Sequence, residues 1–132
     1  MGTFRRFRAW RACYDLTVSI YRSTHDWPAT ERFALTSQLR RAALSAGTNI
    51  AEGSAKRGAA EFGRYLDIAI GSLAEVEHLL LMARELGLTT QGEWRLLEDR
   101  RELAARQTHR LSQRIRSAAS SSSGLDKTAA RA

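Results

Sequence analysis

One proline, Pro28, is all that interrupts the chain, and runs of β-branched residues are few. That scarcity favours helices over sheets. A single cysteine, Cys13, rules out an intrachain disulfide and fits a reducing compartment, so the chain is read as cytoplasmic. Long apolar runs are missing as well. The longest, Leu79 to Ala83, is far too short to cross a bilayer, and no membrane association is expected. Arg5, Arg6, Arg8 and Arg11 imitate the basic start of a signal peptide, but Asp15, Ser19 and Arg22 break the apolar segment that would have to follow. Lysine is scarce too: nearly all of the 21 basic side chains are arginine, set against 14 acidic ones for a net charge of +7. Such an excess suits polyanionic partners, because a guanidinium grips phosphate in a bidentate fork. Nucleotide composition bias produces the same Arg-for-Lys usage, so charge alone leaves both readings open.

What the chain does have is helical periodicity, over a length that suits one domain with a single core. In the stretch Leu35 to Gly53, Leu35, Leu39, Ala42, Ala43, Ala46 and Ile50 form one apolar stripe. Beside it runs a polar seam of Gln38, Ser45, Asn49 and Glu52, with Arg41 at its edge. This seam reads as an oligomer interface or a buried polar network. The helix is expected to begin at the N-cap Thr30, after the Trp27-Pro28 breaker, and to end at Gly53 in a left-handed cap.

The first helix, Phe7 to Thr24, repeats Phe7, Trp10, Cys13 or Tyr14, Thr17, and Ile20 or Tyr21 at helical spacing. This aromatic-rich face is read as core, although Arg interleaved with aromatics also describes a platform on which bases stack. The third helix, Ala59 to Leu86, has the most regular seam: Phe62, Leu66, Ala69, Leu73, Val76, Leu80 and Ala83, in alternating steps of four and three. Gly58 suits its N-cap, Glu61 the position that reaches back to it, and Gly87 its C-terminal cap. Gly71 and Ser72 are small enough to let a neighbour approach. Thr90 and Glu93 make a capping box for the fourth helix, whose seam is Trp94, Leu97, Arg101, Ala104, Thr108, Leu111 and Ile115. Arg95, Arg106, Arg110 and Arg114 line its other side, partly balanced by Glu98, Asp99 and Glu102. Short connections imply an all-α, antiparallel up-down-up-down four-helix bundle over residues 1–116, followed by a disordered Ser/Ala-rich tail, 117–132.

No catalytic constellation emerges, so no enzyme activity and no cofactor are expected. Glu75 and His78 match the Glu-x-x-His element of di-iron bundles, but no second copy exists, and both fall opposite the Leu73 seam, so no metal site is expected. Asn49 and Glu52 are the polar pair with most to offer, as a recognition or hydrolytic site or as a hydrogen-bond network. The candidate nucleic-acid contacts are Arg40, Arg41, Lys56 and Arg57, where a helix end is expected to meet a basic loop, together with Arg106, Arg110 and Arg114.

The run Gln38-Leu39-Arg40-Arg41-Ala42-Ala43, Ser45, and Asn49-Ile50-Ala51-Glu52-Gly53 resembles the signature of the bacterial four-helix-bundle proteins encoded within 23S rRNA intervening sequences. The likeness extends to Trp10, Tyr21 and Pro28, and to Phe62, Ala69, Gly71-Ser72-Leu73 and Glu75, covering about Phe4 to Ile115. It implies a bundle assembled as a homo-oligomeric ring, with a pentamer favoured, and no established activity. A branch similar in fold, the accessory variability proteins of diversity-generating retroelements, forms basic pentamers and works with a reverse transcriptase and nucleic acid. The expected partners are therefore further copies of the chain and RNA or DNA bound largely without sequence specificity. The alternative is a scaffold that docks a partner protein such as a reverse transcriptase.

Overall fold

The computed structural model describes the backbone of residues 2–131 and the side chains of residues 2–121. Four helices make up the described chain, and no strand occurs among the described residues: α1 (Arg8–Thr24), α2 (Leu35–Ser54), α3 (Ala59–Glu85) and α4 (Gln91–Arg131). Each helix packs on two others, α1 and α3 both lying against α2 and α4. Cross-contacts run in opposite order along every pair. Thr17 donates to the Ala43 carbonyl (3.0 Å), while Thr24, further along α1, accepts from Arg40, earlier on α2. Asp67 meets Arg116 and Glu77 meets Arg101 in the same inverted order on α3 and α4. The helices are thus antiparallel neighbours in an up-down-up-down bundle.

The core is built from the seams on α2, α3 and α4. Every apolar residue of the α2 stripe and of the α3 seam is buried, and Arg101 and Thr108 are buried within the α4 seam. Burying one such Leu stabilises the fold by about 1.5–3 kcal/mol. Helix α1 matches expectation in part, at Cys13 and Ile20 and not at Tyr14 and Tyr21. Its buried face is Ala9, Cys13, Leu16 and Ile20, whereas Tyr14 and Tyr21 are exposed and Trp10 is half-buried. The period is the one expected, but the face is rotated: the large rings border the core, and smaller residues fill it.

The helix ends follow local chemistry. Gly87, at φ 72°, closes α3 with Leu88 N–H on the Ala83 carbonyl and Gly87 N–H on that of Arg84, the paired bonds of a Schellman cap. Thr90 and Glu93 exchange their side-chain-to-backbone bonds at 3.1 and 3.3 Å, completing the capping box. Gly58 is the N-cap of α3 at φ 86°, but Glu61 binds Arg64 and does not reach back. Helix α2 begins at Leu35, since Ala29–Glu31 is a 3-10 turn set off by Pro28. Gly53 is not a left-handed cap. It lies inside α2, where a Cβ would sit 2.6 Å from the Cβ of Tyr65, so its use is close approach to α3. Gly71, by contrast, is exposed and faces no neighbour.

Helix α4 continues to Arg131, through the stretch expected to be a disordered tail. Extending an existing helix avoids the nucleation cost, and no proline intervenes. Among the described residues, no helix is long and apolar enough to cross a membrane.

Candidate nucleic-acid interface

The N-terminal arm sets the geometry of the basic face. Thr3–Arg6 forms a 3-10 turn, Phe7 continues in extended backbone as the N-cap of α1, and its ring packs on that of Phe62 at 5.7 Å. This anchor fastens the arm across the end of the bundle where α4 finishes. Arg6 and Arg8, on either side of Phe7, then share a cleft of about 990 Å³ with Arg110, Arg114, Gln107 and Gln113 of α4. Among the described residues, no carboxylate lines it. The first turn of α1 holds no acidic residue and no side chain caps it, so its free N–H groups add positive potential at the same place.

These guanidiniums are uncommitted. Arg8, Arg106, Arg110 and Arg114 make no ion pair or hydrogen bond among the described residues, and Arg6 only stacks on Phe7, 5.2 Å from the ring centroid. Arg106 lies one turn before Arg110, outside the cleft. Two acids near the start of α3 are already paired. Glu61 is bound by Arg64 at 2.8 Å, which holds its carboxyl below the usual carboxylate range, and Asp67 is bound by Arg116. The four cleft guanidiniums therefore have no carboxylate partner among the described residues.

The other expected contacts separate into distinct roles. Arg40 serves the fold: its Nε donates to Thr24 Oγ1 at 2.8 Å, its Nη2 to the Tyr21 carbonyl at 3.3 Å, and its guanidinium lies 4.6 Å from the Tyr21 ring centroid. It thereby satisfies the carbonyl end of α1. Arg41 is exposed, but it stands about 20 Å along α2 from the loop that carries Lys56 and Arg57, so that helix end and that loop do not meet. Lys56, 5.6 Å from the Tyr65 ring centroid, and Arg57 lie at the same end of the bundle as Arg6 and Arg8.

The polar seam also divides. Asn49 Nδ2 donates to the Ser45 carbonyl (2.8 Å) and to Ser45 Oγ (3.1 Å), and Ser72 Oγ reaches Ser45 Oγ at 2.9 Å. Ser45 and Asn49 thus close a network with α3 inside one chain. Gln38 and Glu52 are exposed and take no part in it. Asn49 and Glu52 are therefore not held together as a pair. Among the described residues, no group of three His, Cys, Asp or Glu side chains is placed to hold a metal ion, and Glu75 and His78 are exposed. Cys13 is buried, with its thiol pushed up to about 12 by desolvation, against a weaker pull from Thr108 at 3.9 Å. Such a thiol is no nucleophile near neutral pH.

Reading α4 alone misses Arg6 and Arg8. The signal for them is the arginine pair flanking a single aromatic just before a helix, which places two cations at that helix's start.

The fold is similar to a crystal structure of a protein of unknown function from the S23 ribosomal protein family of Bacteroides thetaiotaomicron. The TM-score is 0.71 over 79% of this chain and 97% of that one, and at 19% sequence identity the likeness speaks for the fold alone. Among curated proteins no match is found. The model of the 23S rRNA-intervening sequence protein matches residues 5–110, most of the bundle, and the chain belongs to that family.

Proposed function

We propose that this protein is a non-enzymatic, homo-oligomeric bundle that acts in the cytoplasm and binds structured RNA, or nucleic acid generally, through surface arginine. The observation that carries this reading is the cleft in which Arg6, Arg8, Arg110 and Arg114 converge with no carboxylate among them. Guanidiniums in that setting exchange condensed counterions for phosphates, which gives strong attraction with little base selectivity. A ring of five copies, the favoured assembly, would multiply the net charge of +7 fivefold on one object.

The test is binding to RNA across a salt series, with nuclease-treated protein whose mass is set by light scattering. The wild type should bind at low salt and release steeply. The double variant Arg110→Gln/Arg114→Gln should bind more weakly and lose roughly 2 from the slope of log K against log salt. Arg106→Gln, outside the cleft, should change both less. Unchanged affinity in the double variant removes the cleft from the reading. One stoichiometric protein retained after nuclease treatment would favour the scaffold alternative.

A further inference from the structure

The aromatic face that α1 withholds from the core is not spread over the surface. Phe4, Trp10, Tyr14 and Tyr21 line an open groove of about 670 Å³ against α2, within the volume range of small-ligand sites. The rings form a ladder, Phe4 to Trp10 at 5.0 Å and Trp10 to Tyr14 at 5.1 Å between centroids, tilted by 59° and 38°. Tilted rings do not use up their faces on one another, so those faces are left for a planar guest. Gly47 and Ala51 provide the small-residue wall on α2, and Tyr21, under the Arg40 guanidinium, stands at the far end.

From this we infer that the α1–α2 groove takes an unpaired base of the same polynucleotide whose phosphates lie along the arginine cleft, an inference that rests on the nucleic-acid reading above. The two sites are joined by the arm: Phe4 lines the groove and Arg6 the cleft, two residues apart in one 3-10 turn. Charge complementarity selects the occupant. Arg22 lines the groove, Arg40 covers Tyr21 at its far end, and Phe4 ties it to the arm whose Arg6 lines the cleft, a cationic setting that favours an apolar ring carried on a polyanion. An uncharged apolar helix would gain nothing from those cations. The groove also gives Glu52 a role. It lines the groove, makes no hydrogen bond or ion pair among the described residues, and would repel phosphate. Its carboxylate accepts from an exocyclic amine, so a cytosine or adenine edge suits it better than uracil.

The test measures fluorescence anisotropy with three RNA probes: a single-stranded oligonucleotide, the same oligonucleotide made abasic at its centre, and a duplex of equal length. The wild type should bind the abasic probe roughly tenfold more weakly than the intact strand. Trp10→Ala/Tyr14→Ala should lose about the same factor on the intact strand while leaving duplex affinity and the salt slope in place. Thr48→Trp, which fills the groove without truncating a ring, should act in the same direction if the double variant fails to fold. Glu52→Gln should erase a preference for cytosine over uracil at the central position. Equal wild-type affinity for the intact and abasic strands overturns the inference and leaves the arginine reading standing. Groove variants that break an oligomer by light scattering, with all three probes weakened alike, would mark the groove as a protein seam and overturn it too. A wild type that binds no probe at low salt sinks both readings together.

Discussion

Helix α4 holds the same residue type in two opposite situations within three and a half turns. Arg101 is buried, its Nε 2.9 Å from Glu98 and its Nη2 2.9 Å from Glu77, so its charge is already matched by two carboxylates. Arg110 and Arg114 lie in the open beside Arg6 and Arg8 with no partner among the described residues. All are arginines on one continuous helix, yet one belongs to the fold and the others are available to a polyanion. What separates them is what stands opposite. Arg101 faces two carboxylates across and along the helix, whereas Arg110 faces another cation. An arginine stripe drawn on a helical wheel carries no information about this.

The sharpest way to break the comparison is to remove Arg101. Arg101→Ala leaves Glu98, 8% exposed, as a buried carboxylate without its counterion, and should cost roughly 3–5 kcal/mol in urea unfolding. Arg110→Gln should change stability by less than about 0.5 kcal/mol, since it removes no contact. Equal losses at the two positions would mean that the pairing around Arg101 contributes little to the fold.

Much of this was legible in the sequence, and the failures have a common cause. The α3 seam reads correctly because its seven apolar residues keep alternating steps of four and three without a break, even though Ile68, Leu81 and Met82 stay exposed on its other faces. On α1 the period is equally clear, but two apolar stripes compete. Cys13, Leu16 and Ile20 lie roughly 110° around the helix from Trp10, Tyr14 and Tyr21, and periodicity fixes the repeat without choosing between stripes. Packing chose the smaller side chains, which left the rings for a groove. The arginine cleft was half legible. The Arg110 and Arg114 spacing shows on the helix, but joining it to Arg6 and Arg8 requires knowing that α1 and α4 are antiparallel neighbours. Arg40 reads as a surface cation because nothing local reveals that its guanidinium ends on the Thr24 hydroxyl and the Tyr21 carbonyl of another helix.

Helix glycines obey the same rule. Gly53 and Gly71 look alike in sequence, yet a Cβ at Gly53 would meet Tyr65 Cβ at 2.6 Å, while one at Gly71 would meet nothing within 4 Å. Gly53→Ala should therefore cost about 1–3 kcal/mol through a forced shift of α2 from α3. Gly71→Ala should stabilise by about 0.5–1 kcal/mol through helix propensity. Thermal melts of the pair decide it, and two changes of the same sign would break the distinction.

Cys13 extends the comparison to pH. Its folded thiol is raised to about 12, so the native state keeps a proton that the unfolded chain gives up above about 8.5. The associated stability is complete below that value and declines as pH rises toward the folded value, by about 1.4 kcal/mol per unit. At pH 10 the wild type should have lost stability of that order, and a Cys13→Ala variant should lack this component. Native protein should resist alkylation at pH 8 and react on unfolding. Rapid native labelling would place the thiol outside the core.

The smallest effect is expected where α4 leaves the bundle. Ala119 is half-buried in a shallow hollow with Ala59, Ala60 and Gly63 at the start of α3, and Arg116 reaches Asp67 across the same junction. We propose that the bundle needs α4 through Arg116 and that the segment from Ser117 is dispensable. Ending the chain after Ser121 should leave the melting temperature unchanged. Ending it after Arg116 removes only one methyl-sized contact and should cost no more than about 0.8 kcal/mol. A larger loss from the first truncation would mean that the terminal turns pack on the bundle and that the boundary at 116 is misplaced. The cleft keeps its four arginines in both truncations, the shorter one taking Ser117 from its lining, because Arg110, Arg114 and their glutamine neighbours precede the cut and the arm that brings Arg6 and Arg8 is held by Phe7 on Phe62. Binding by the shorter chain should therefore fall only by the share of Lys127 and Arg131, the two cations removed by both cuts.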